Sequence, residues 1–330
     1  MKKFKLKTSG IELSSIIMGG SSPRGDFFKS ADSRRNFEIV LSTALEGGVN
    51  TFDCAEAYGD GVAEKILGKV VRQIRDDVVL SSKVSYHNTS AKGIQRSCEA
   101  SLRNLGTSYI DLYYLHYPNN EVPLEESIGT LMKLKEEGKI RAIGLSNFSL
   151  NQMETALCFG EIDVLQQCYS LLWRTYAEKY LFPFCVYHDV RVVAYGPLAS
   201  GLLTGKFSKD YRFERDDQRA RAGSDGLLLY LPEWWDRTTS TVEKLKPFVN
   251  TYGVTLTQLA INWVLNRPDV DGVIIGARTT GQVVENIASE SLQISEKDKQ
   301  EMDKISKVFT DVLPEYLNYY LKMVGTNPDI

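Results

Sequence analysis

Three apolar runs of this chain each lead to a residue that carries a proton or a charge. Thr51-Phe52 leads to Asp53, Val78-Val79-Leu80 leads through two serines to Lys83, and Ile110-Asp111-Leu112-Tyr113-Tyr114-Leu115 leads to His116. Tyr58 follows Asp53 by five residues, in a polar loop with Gly59 and Gly61. If the runs are neighbouring parallel strands, an acid, an ammonium and an imidazole arrive at one end of a sheet with a phenol above them. Such a set can protonate a carbonyl oxygen. A tyrosine hydroxyl ordinarily ionises near a pH of about 10, and a neighbouring ammonium stabilises its phenolate. A displacement of two units takes about 2.7 kcal/mol. Asp53 would neutralise and hold Lys83, while His116 would fix the carbonyl or relay the proton. The same residue types also suit a structural Asp–Lys ion pair beside a packing histidine, and Asp53 alone suits a helix cap. Only three histidines occur. Of these, His188 falls at a predicted helix C-terminus, where the helix dipole accounts for it.

The surrounding pattern predicts the elements that would position these groups. Residues 4–13 alternate around Ser9-Gly10, a hairpin signal. Short apolar runs then end near Gly19, Asp53, Lys83, His116, Ser146, Tyr169, Tyr195 and Gly276. Helical periodicity fills the gaps over Ala31–Glu46, Ala63–Gln73, Ala91–Leu105, Leu124–Glu137, Leu150–Phe159 and Ala177–His188. Eight strands alternating with helices mean a parallel sheet. The first seven run ends are about 23 to 34 residues apart, the spacing of a (β/α)8 TIM barrel. A doubly wound sheet would want Gly-x-Gly-x-x-Gly after an early strand, and Met18-Gly19-Gly20-Ser21 does not continue that way. The barrel is therefore preferred, as a single domain over residues 1–330. The interval before the last strand is longer. It holds a glycine-rich charged loop from Gly196 to about Leu231, then helices near Trp235–Asn250 and Thr255–Asn266. Pro247 is expected to kink the first of these or end it early. Further helices are expected near Ser295–Phe309 and Pro314–Met323.

Composition narrows the class of function. Of 330 residues, 43% are apolar and 25% charged, and the net charge of −3 is spread without basic blocks. No nucleic-acid or membrane partner is expected. Five cysteines without a Cys-x-x-Cys pair argue against a disulfide framework and a zinc site, and fit a reducing compartment. No stretch reads as a signal peptide or a membrane span. The expectation is a cytoplasmic enzyme with no metal.

With these residues in view, the sequence resembles the aldo-keto reductases. The matching stretches are Asn50–Gly59 with Glu64-Lys65-Ile66-Leu67-Gly68, Ser101 to Leu112, Gly138 to Phe148, and Ile274-Ile275-Gly276-Ala277-Arg278-Thr279. The style of its loops is nearest the bacterial branch and the potassium-channel β-subunits. The resemblance implies a barrel that reduces carbonyls with NADPH, and a catalytic tetrad at Asp53, Tyr58, Lys83 and His116. It implies a cofactor site at Gly19, Ser146, Asn147 and Gln166, at Tyr195, whose ring would stack on the nicotinamide, and in the loop Gly196, Pro197, Leu198, Ser200, Gly201, Leu203 and Lys206. Gly276, Arg278 and Thr279 would open the last barrel helix as an anion site, with Gln282, Glu285 and Asn286 near the adenosine. An amphipathic surface helix would explain residues 282–286 as well. Two departures stand out. His116 is followed by Tyr117-Pro118-Asn119 where the family often has Trp and Asp nearby, and Gly196 stands where a serine is frequent.

Ser21, Arg24, Phe27, Phe28, Tyr86, His87, Asn119 and Trp173 are candidates for a substrate pocket, a mix of aromatic and polar groups suited to sugars or polar aldehydes. The resemblance implies a small-molecule carbonyl substrate. It leaves open a cofactor-sensing subunit like those of channels, and a sugar dehydrogenase working in the oxidative direction. Channel subunits also retain a tetrad; the absence of an N-terminal extension favours the enzyme. Oligomeric state is not readable from the chain.

Overall fold

A computed structural model describes residues 1–21, 28–214, 217–221, 227–316 and 318–319. The candidate pocket residues Arg24 and Phe27 lie outside them. An antiparallel hairpin, β1 (Lys3–Lys5) and β2 (Glu12–Ser14), opens the chain, with Phe4 opposite Leu13. Eight parallel strands follow: β3 (Ile16–Gly19), β4 (Thr51–Asp53), β5 (Val79–Val84), β6 (Ile110–Leu115), β7 (Ile140–Ser146), β8 (Val164–Cys168), β9 (Arg191–Tyr195) and β10 (Gly272–Ile275). They pair in sequence order, and β10 closes on β3, so the sheet is a barrel.

Ten α-helices are present among the described residues: α1 (Ala31–Glu46), α2 (Val62–Val71), α3 (Ala91–Leu105), α4 (Leu124–Glu136), α5 (Leu150–Leu157), α6 (Phe182–His188), α7 (Pro232–Tyr252), α8 (Leu256–Leu265), α9 (Thr280–Ala288) and α10 (Glu296–Thr310). Their starts follow capping chemistry. Ser30, Ser90, Ser149, Thr255, Thr279 and Ser295 each accept a backbone N–H of the first turn.

Strand alternation builds two cores. One set of side chains, including Ile16, Met18, Phe52, Leu80 and Tyr113, packs outward against the helices. The other set, Ile17, Val79, Leu112, Tyr114, Ala142, Val164 and Val193, fills the barrel, and Leu6, Ile11 and Leu13 of the hairpin close its floor. Higher in the barrel, Tyr114 leans over Gly144, where an added Cβ would lie 2.2 Å from the ring. A glycine there makes room for the phenol in the barrel axis.

Three expectations about helices need correction. Pro247 does not end its helix, which runs through to Tyr252. Pro247 and Glu243, the carbonyl partner it cannot reach, are both exposed, so water can satisfy the freed carbonyl. The segment Ala177–His188 is not one regular helix: a π-turn over Ala177–Leu181 precedes α6. Pro183 has no N–H to donate, which is compatible with the wider turn. The helix expected over Pro314–Met323 falls largely outside the described residues, and Pro314–Tyr316 is not helical. All five cysteines are free thiols. Among the described residues no helix is long and apolar enough to cross a membrane.

Candidate active site

Strand register brings the predicted groups to one rim. Asp53 pairs with Ser81 and Gly19, Lys83 with Tyr114, Ser146 with Gln166, and Cys168 with Tyr195. Asp53, Lys83 and His116 thus end consecutive strands at the C-terminal face. Lys83 is fully buried beneath that face. Its Nζ donates to Asp53 Oδ1, to the Cys54 carbonyl at 2.6 Å and to Tyr58 Oη at 3.4 Å. Asp53 Oδ2 accepts from Ser81 Oγ at 2.7 Å and from Gln166 Nε2 at 3.1 Å. Both oxygens of the carboxylate are therefore directed.

His116 meets the Tyr58 ring edge-on, with centroids 5.8 Å apart, and stacks on Tyr117 at 4.7 Å. Desolvation, and then the Lys83 ammonium, hold its pKa well below the ordinary histidine value. Both causes favour the neutral imidazole. Beneath the site, burial pushes the Tyr114 phenol well up, with the Asp53 charge adding to the effect. Tyr114 stays a neutral hydrogen-bonding group, joined to Gln166.

These residues line a cavity of about 500 Å³ at the barrel mouth. Asp53, Tyr58 and His116 face it, together with Gly19, Ser146, Asn147, Gln166, Tyr195, Gly196, Pro197, Leu198, Ser200 and Gly276 from the expected cofactor set. A carboxylate only accepts hydrogen bonds, so Gln166 turns its NH2 to Asp53 and its Oε1 toward Ser146 Oγ, 3.5 Å away. Asn147 follows β7 in the left-handed region, at φ +64°. Its NH2 donates to the His116 carbonyl and to Ser146 Oγ, and its Oδ1 accepts from Tyr195 Oη. Gly196 has φ +68°, and a Cβ there would come within 3.2 Å of Tyr319 Oη. Glycine answers both constraints.

The remaining expected residues, Gly201, Leu203, Lys206, Arg278, Thr279, Gln282, Glu285 and Asn286, stand outside the cavity lining. In the loop after Leu198, Gly201 follows the lining residue Ser200, with φ of +104° and +55° respectively, and Leu203 is fully buried. Partial burial, and then the charges of Arg219 and Arg278, lower the pKa of Lys206. A cationic corner thus forms between this loop and the start of α9. Thr279 caps α9, Gln282 Oε1 accepts the Arg278 N–H at 2.7 Å, and Asn286 Nδ2 donates to the Gly276 carbonyl. Glu285 accepts from Thr255, and Glu290 holds the N-terminal ammonium. Of the pocket candidates, Ser21 lines the cavity. The Tyr86 ring lies against His87 at a tilt of 37° and its carbonyl accepts from Asn119 Nδ2; none of the three lines the cavity. Phe28 packs against Phe37, and Trp173 meets Tyr319 edge-on.

Sequence reasoning missed Ile274, Ile275 and Tyr319 as lining residues, and took Tyr117 only as a departure from the family pattern. Tyr117 stands beside a flagged histidine and was within reach of pattern analysis. Tyr319 lies far along the chain from every other site residue, and no local signal marks it.

The Aldo/keto reductase family model matches residues 15–307. The chain is 32% identical to the Aldo-keto reductase YhdN of Bacillus subtilis, over 96% of this chain and 98% of that protein. It is likewise 32% identical to the NADH-specific methylglyoxal reductase of Escherichia coli, over 93% of this chain and 99% of the relative. Among solved structures, the glycerol dehydrogenase AKR11B4 of Gluconobacter oxydans superposes with a TM-score of 0.83 at 26% identity, covering 93% of this chain and 95% of that one. A barrel of this connectivity, a buried Asp–Lys pair touching a tyrosine, and a family match spanning nearly the whole chain agree: this protein belongs to the aldo/keto reductase family.

Proposed function

We propose that this protein reduces the carbonyl of an aldehyde, ketone or keto-sugar to an alcohol, using NADPH, with Tyr58 as the general acid. The observation that carries the reading is the Lys83 Nζ within 3.4 Å of Tyr58 Oη, inside a buried pair with Asp53. The residues present fit a nicotinamide cofactor. Gln166 Oε1 is turned away from Asp53 and offers an acceptor for a carboxamide NH2, Ser146 and Asn147 supply the polar groups beside it, and Tyr195 offers a ring face. When bound, the reduced nicotinamide supplies the hydride.

The chain's own groups would do the rest. Tyr58 Oη would give its proton to the carbonyl oxygen, and the Lys83 ammonium would stabilise the phenolate left behind. Neutral His116 would hydrogen-bond the same oxygen and orient it. Asp53 holds Lys83 in place. Lys206 and Arg278 would face the phosphates, and Arg278, in the turn before α9, would take the 2′-phosphate that distinguishes NADPH from NADH. Gly201, Leu203, Thr279, Gln282, Glu285 and Asn286 would shape the rest of that site. For the substrate, Phe28, Tyr86, His87, Asn119 and Trp173 would act from the periphery of the pocket, with Tyr117 closer in.

The likeness to a glycerol dehydrogenase favours a second reading, in which the same proton path runs backward and an alcohol is oxidised. One assay tests both. Wild-type protein and Tyr58→Phe are followed by nicotinamide absorbance, with NADPH and a panel of aldehydes, ketones and keto-sugars, and with NADP+ and the matching alcohols. Wild type should turn over at least one pair, and Tyr58→Phe should lose about 10²–10⁴-fold in kcat. No turnover in either direction, or a Tyr58→Phe variant that keeps more than about half of wild-type kcat, against the loss expected of a missing general acid, would overturn the proposal.

A further inference from the structure

Two residues of the candidate cofactor site hold backbone conformations that L-residues rarely adopt. Asn147, beside the carboxamide groups, has φ +64°, and Ser200, in the loop after β9, has φ +55°. Such positions persist only where the surroundings over-determine them. Both are tied to the same two consecutive residues near the C-terminus. Asn318 Nδ2 lies 3.3 Å from Asn147 Oδ1, and Tyr319 Oη lies 3.0 Å from Ser200 Oγ. Ser200 is held from a second side, since its carbonyl accepts from Tyr230 Oη at 3.0 Å.

Asn318 and Tyr319 are themselves fully buried. Burying an amide and a phenol is costly unless their polar atoms are used, and here they are used on site residues. The tail is seated as well as bonded. The Leu228 N–H donates to the Tyr319 carbonyl at 3.0 Å, and the Tyr319 ring meets Trp173 edge-on. The Tyr319 hydroxyl also occupies the space beside Gly196 that a side chain there would need. One dipeptide thus reaches across the cavity, with the carboxamide groups at one end and the loop at the other.

We propose that Asn318-Tyr319 is a brace that positions the two halves of the cofactor site relative to each other. Asn318 sets Asn147 for the nicotinamide end, and Tyr319 sets the loop at Ser200 for the phosphate end. Both are positioning residues, acting through Asn147 and Ser200. The inference rests on the reading of this cavity as a dinucleotide site.

The two ends are separated by ligand choice. Fluorescence titrations with NADPH and with 2′-phospho-ADP-ribose, which lacks the nicotinamide ring, are run on wild type, Asn318→Ala, Tyr319→Phe, Ser200→Ala and the double Ser200→Ala/Tyr319→Phe. Loss of one hydrogen bond in such a site corresponds to roughly 3–10-fold in Kd. Asn318→Ala should weaken NADPH by that factor and leave the fragment within about 2-fold, because one contact of this kind is at stake. Tyr319→Phe should weaken both ligands. The double variant should be no weaker than the worse single, because both remove one shared bond. In turnover the loss should fall on the cofactor KM more than on kcat. Unchanged affinities in both tail variants would overturn the brace, as would affinity losses that merely track lowered Tm and kcat. Wild type that binds neither ligand would instead overturn the functional reading beneath it.

Discussion

Replacing Lys83 with methionine separates what the buried ion pair does for the fold from what it does for chemistry. Lys83 and Asp53 have side chains 0% and 4% exposed. Without the ammonium, Asp53 keeps its bonds from Ser81 and Gln166 but loses its counter-charge. Removing one partner of such a pair costs about 3–5 kcal/mol. An unfolding entropy of about 2.1 cal/mol/K per residue amounts to about 0.7 kcal/mol/K for this chain, so Tm should fall by about 4–7 °C. Adding Asp53→Asn removes the orphaned charge and should recover most of that loss. Activity should not follow. The ammonium stands 3.4 Å from the Tyr58 hydroxyl. At an effective dielectric of about 20 it stabilises a phenolate there by roughly 5 kcal/mol, against roughly 1 kcal/mol in bulk water. Neither variant retains this interaction. Both should lose at least about 100-fold in kcat, the lower end for impaired general-acid catalysis. Thermal melts and saturating-substrate kinetics on the single and double variants give the two readouts. A double variant that recovers both its Tm and more than about a tenth of wild-type kcat, well above that lower end, would refute the chemical role and leave Lys83 as scaffolding.

Two further outcomes follow from the same geometry. Because desolvation and Lys83 hold the pKa of folded His116 well down, the unfolded chain takes up a proton near pH 6.5 that the folded chain refuses. Stability from this group is full above about pH 7 and falls below about pH 6.5, by up to about 1.4 kcal/mol per unit, until the folded pKa is reached. Urea melts from about pH 5 to about pH 8 should show a shallower dependence in His116→Asn, since one such proton uptake is gone; an unchanged dependence would reject the assignment. Arg278→Ala should weaken NADPH by about 10- to 150-fold, the cost of lost bonds to a charged group, and leave NADH nearly unaffected. Equal weakening of both cofactors, or none of either, in titrations at one salt concentration would remove Arg278 from the 2′-phosphate site.

Most of the scaffold was legible because its signals are local. Strand ends at Asp53 and Ser146, and one residue past Lys83, coincide with breaks in apolar runs, and α1 and α3 have the predicted bounds because Ser30 and Ser90 cap them and glycines follow. The grouping of Asp53, Lys83, Tyr58 and His116 was legible for a related reason: charged or titratable residues at the ends of apolar runs are conspicuous. Other features depend on contacts that no window of sequence contains. The Tyr114–Gly144 fit joins two strands, the hairpin's plugging of the barrel floor joins Leu6 and Leu13 to Val164, and the tail reaches Asn147 from 171 residues away. Pro247 did not end its helix because one lost hydrogen bond is cheaper where the freed Glu243 carbonyl lies on an exposed face and has water.

The barrel interior changes character along its axis. Its lower layers are apolar and closed by the hairpin, whereas its upper layers carry Tyr114, Ser81, Asp53, Lys83 and Gln166, all buried. Packing does not ask for this. A buried ion pair can often be replaced by apolar residues of similar volume without loss of stability, and sometimes with a gain. Here the charges are kept, and each is oriented by a neutral partner: Ser81 and Gln166 on the carboxylate, the Cys54 carbonyl on the ammonium. The neutral partners set direction without adding charge. Asp53 neutralises the pair as a whole, but its positive end is the one turned to Tyr58, with Nζ 3.4 Å from the hydroxyl, and it also acts on His116, in a medium with little water to screen it. The polar end of the barrel is best understood as stability given up for an electrostatic arrangement, and it faces the cavity in which the proposed proton transfer would take place.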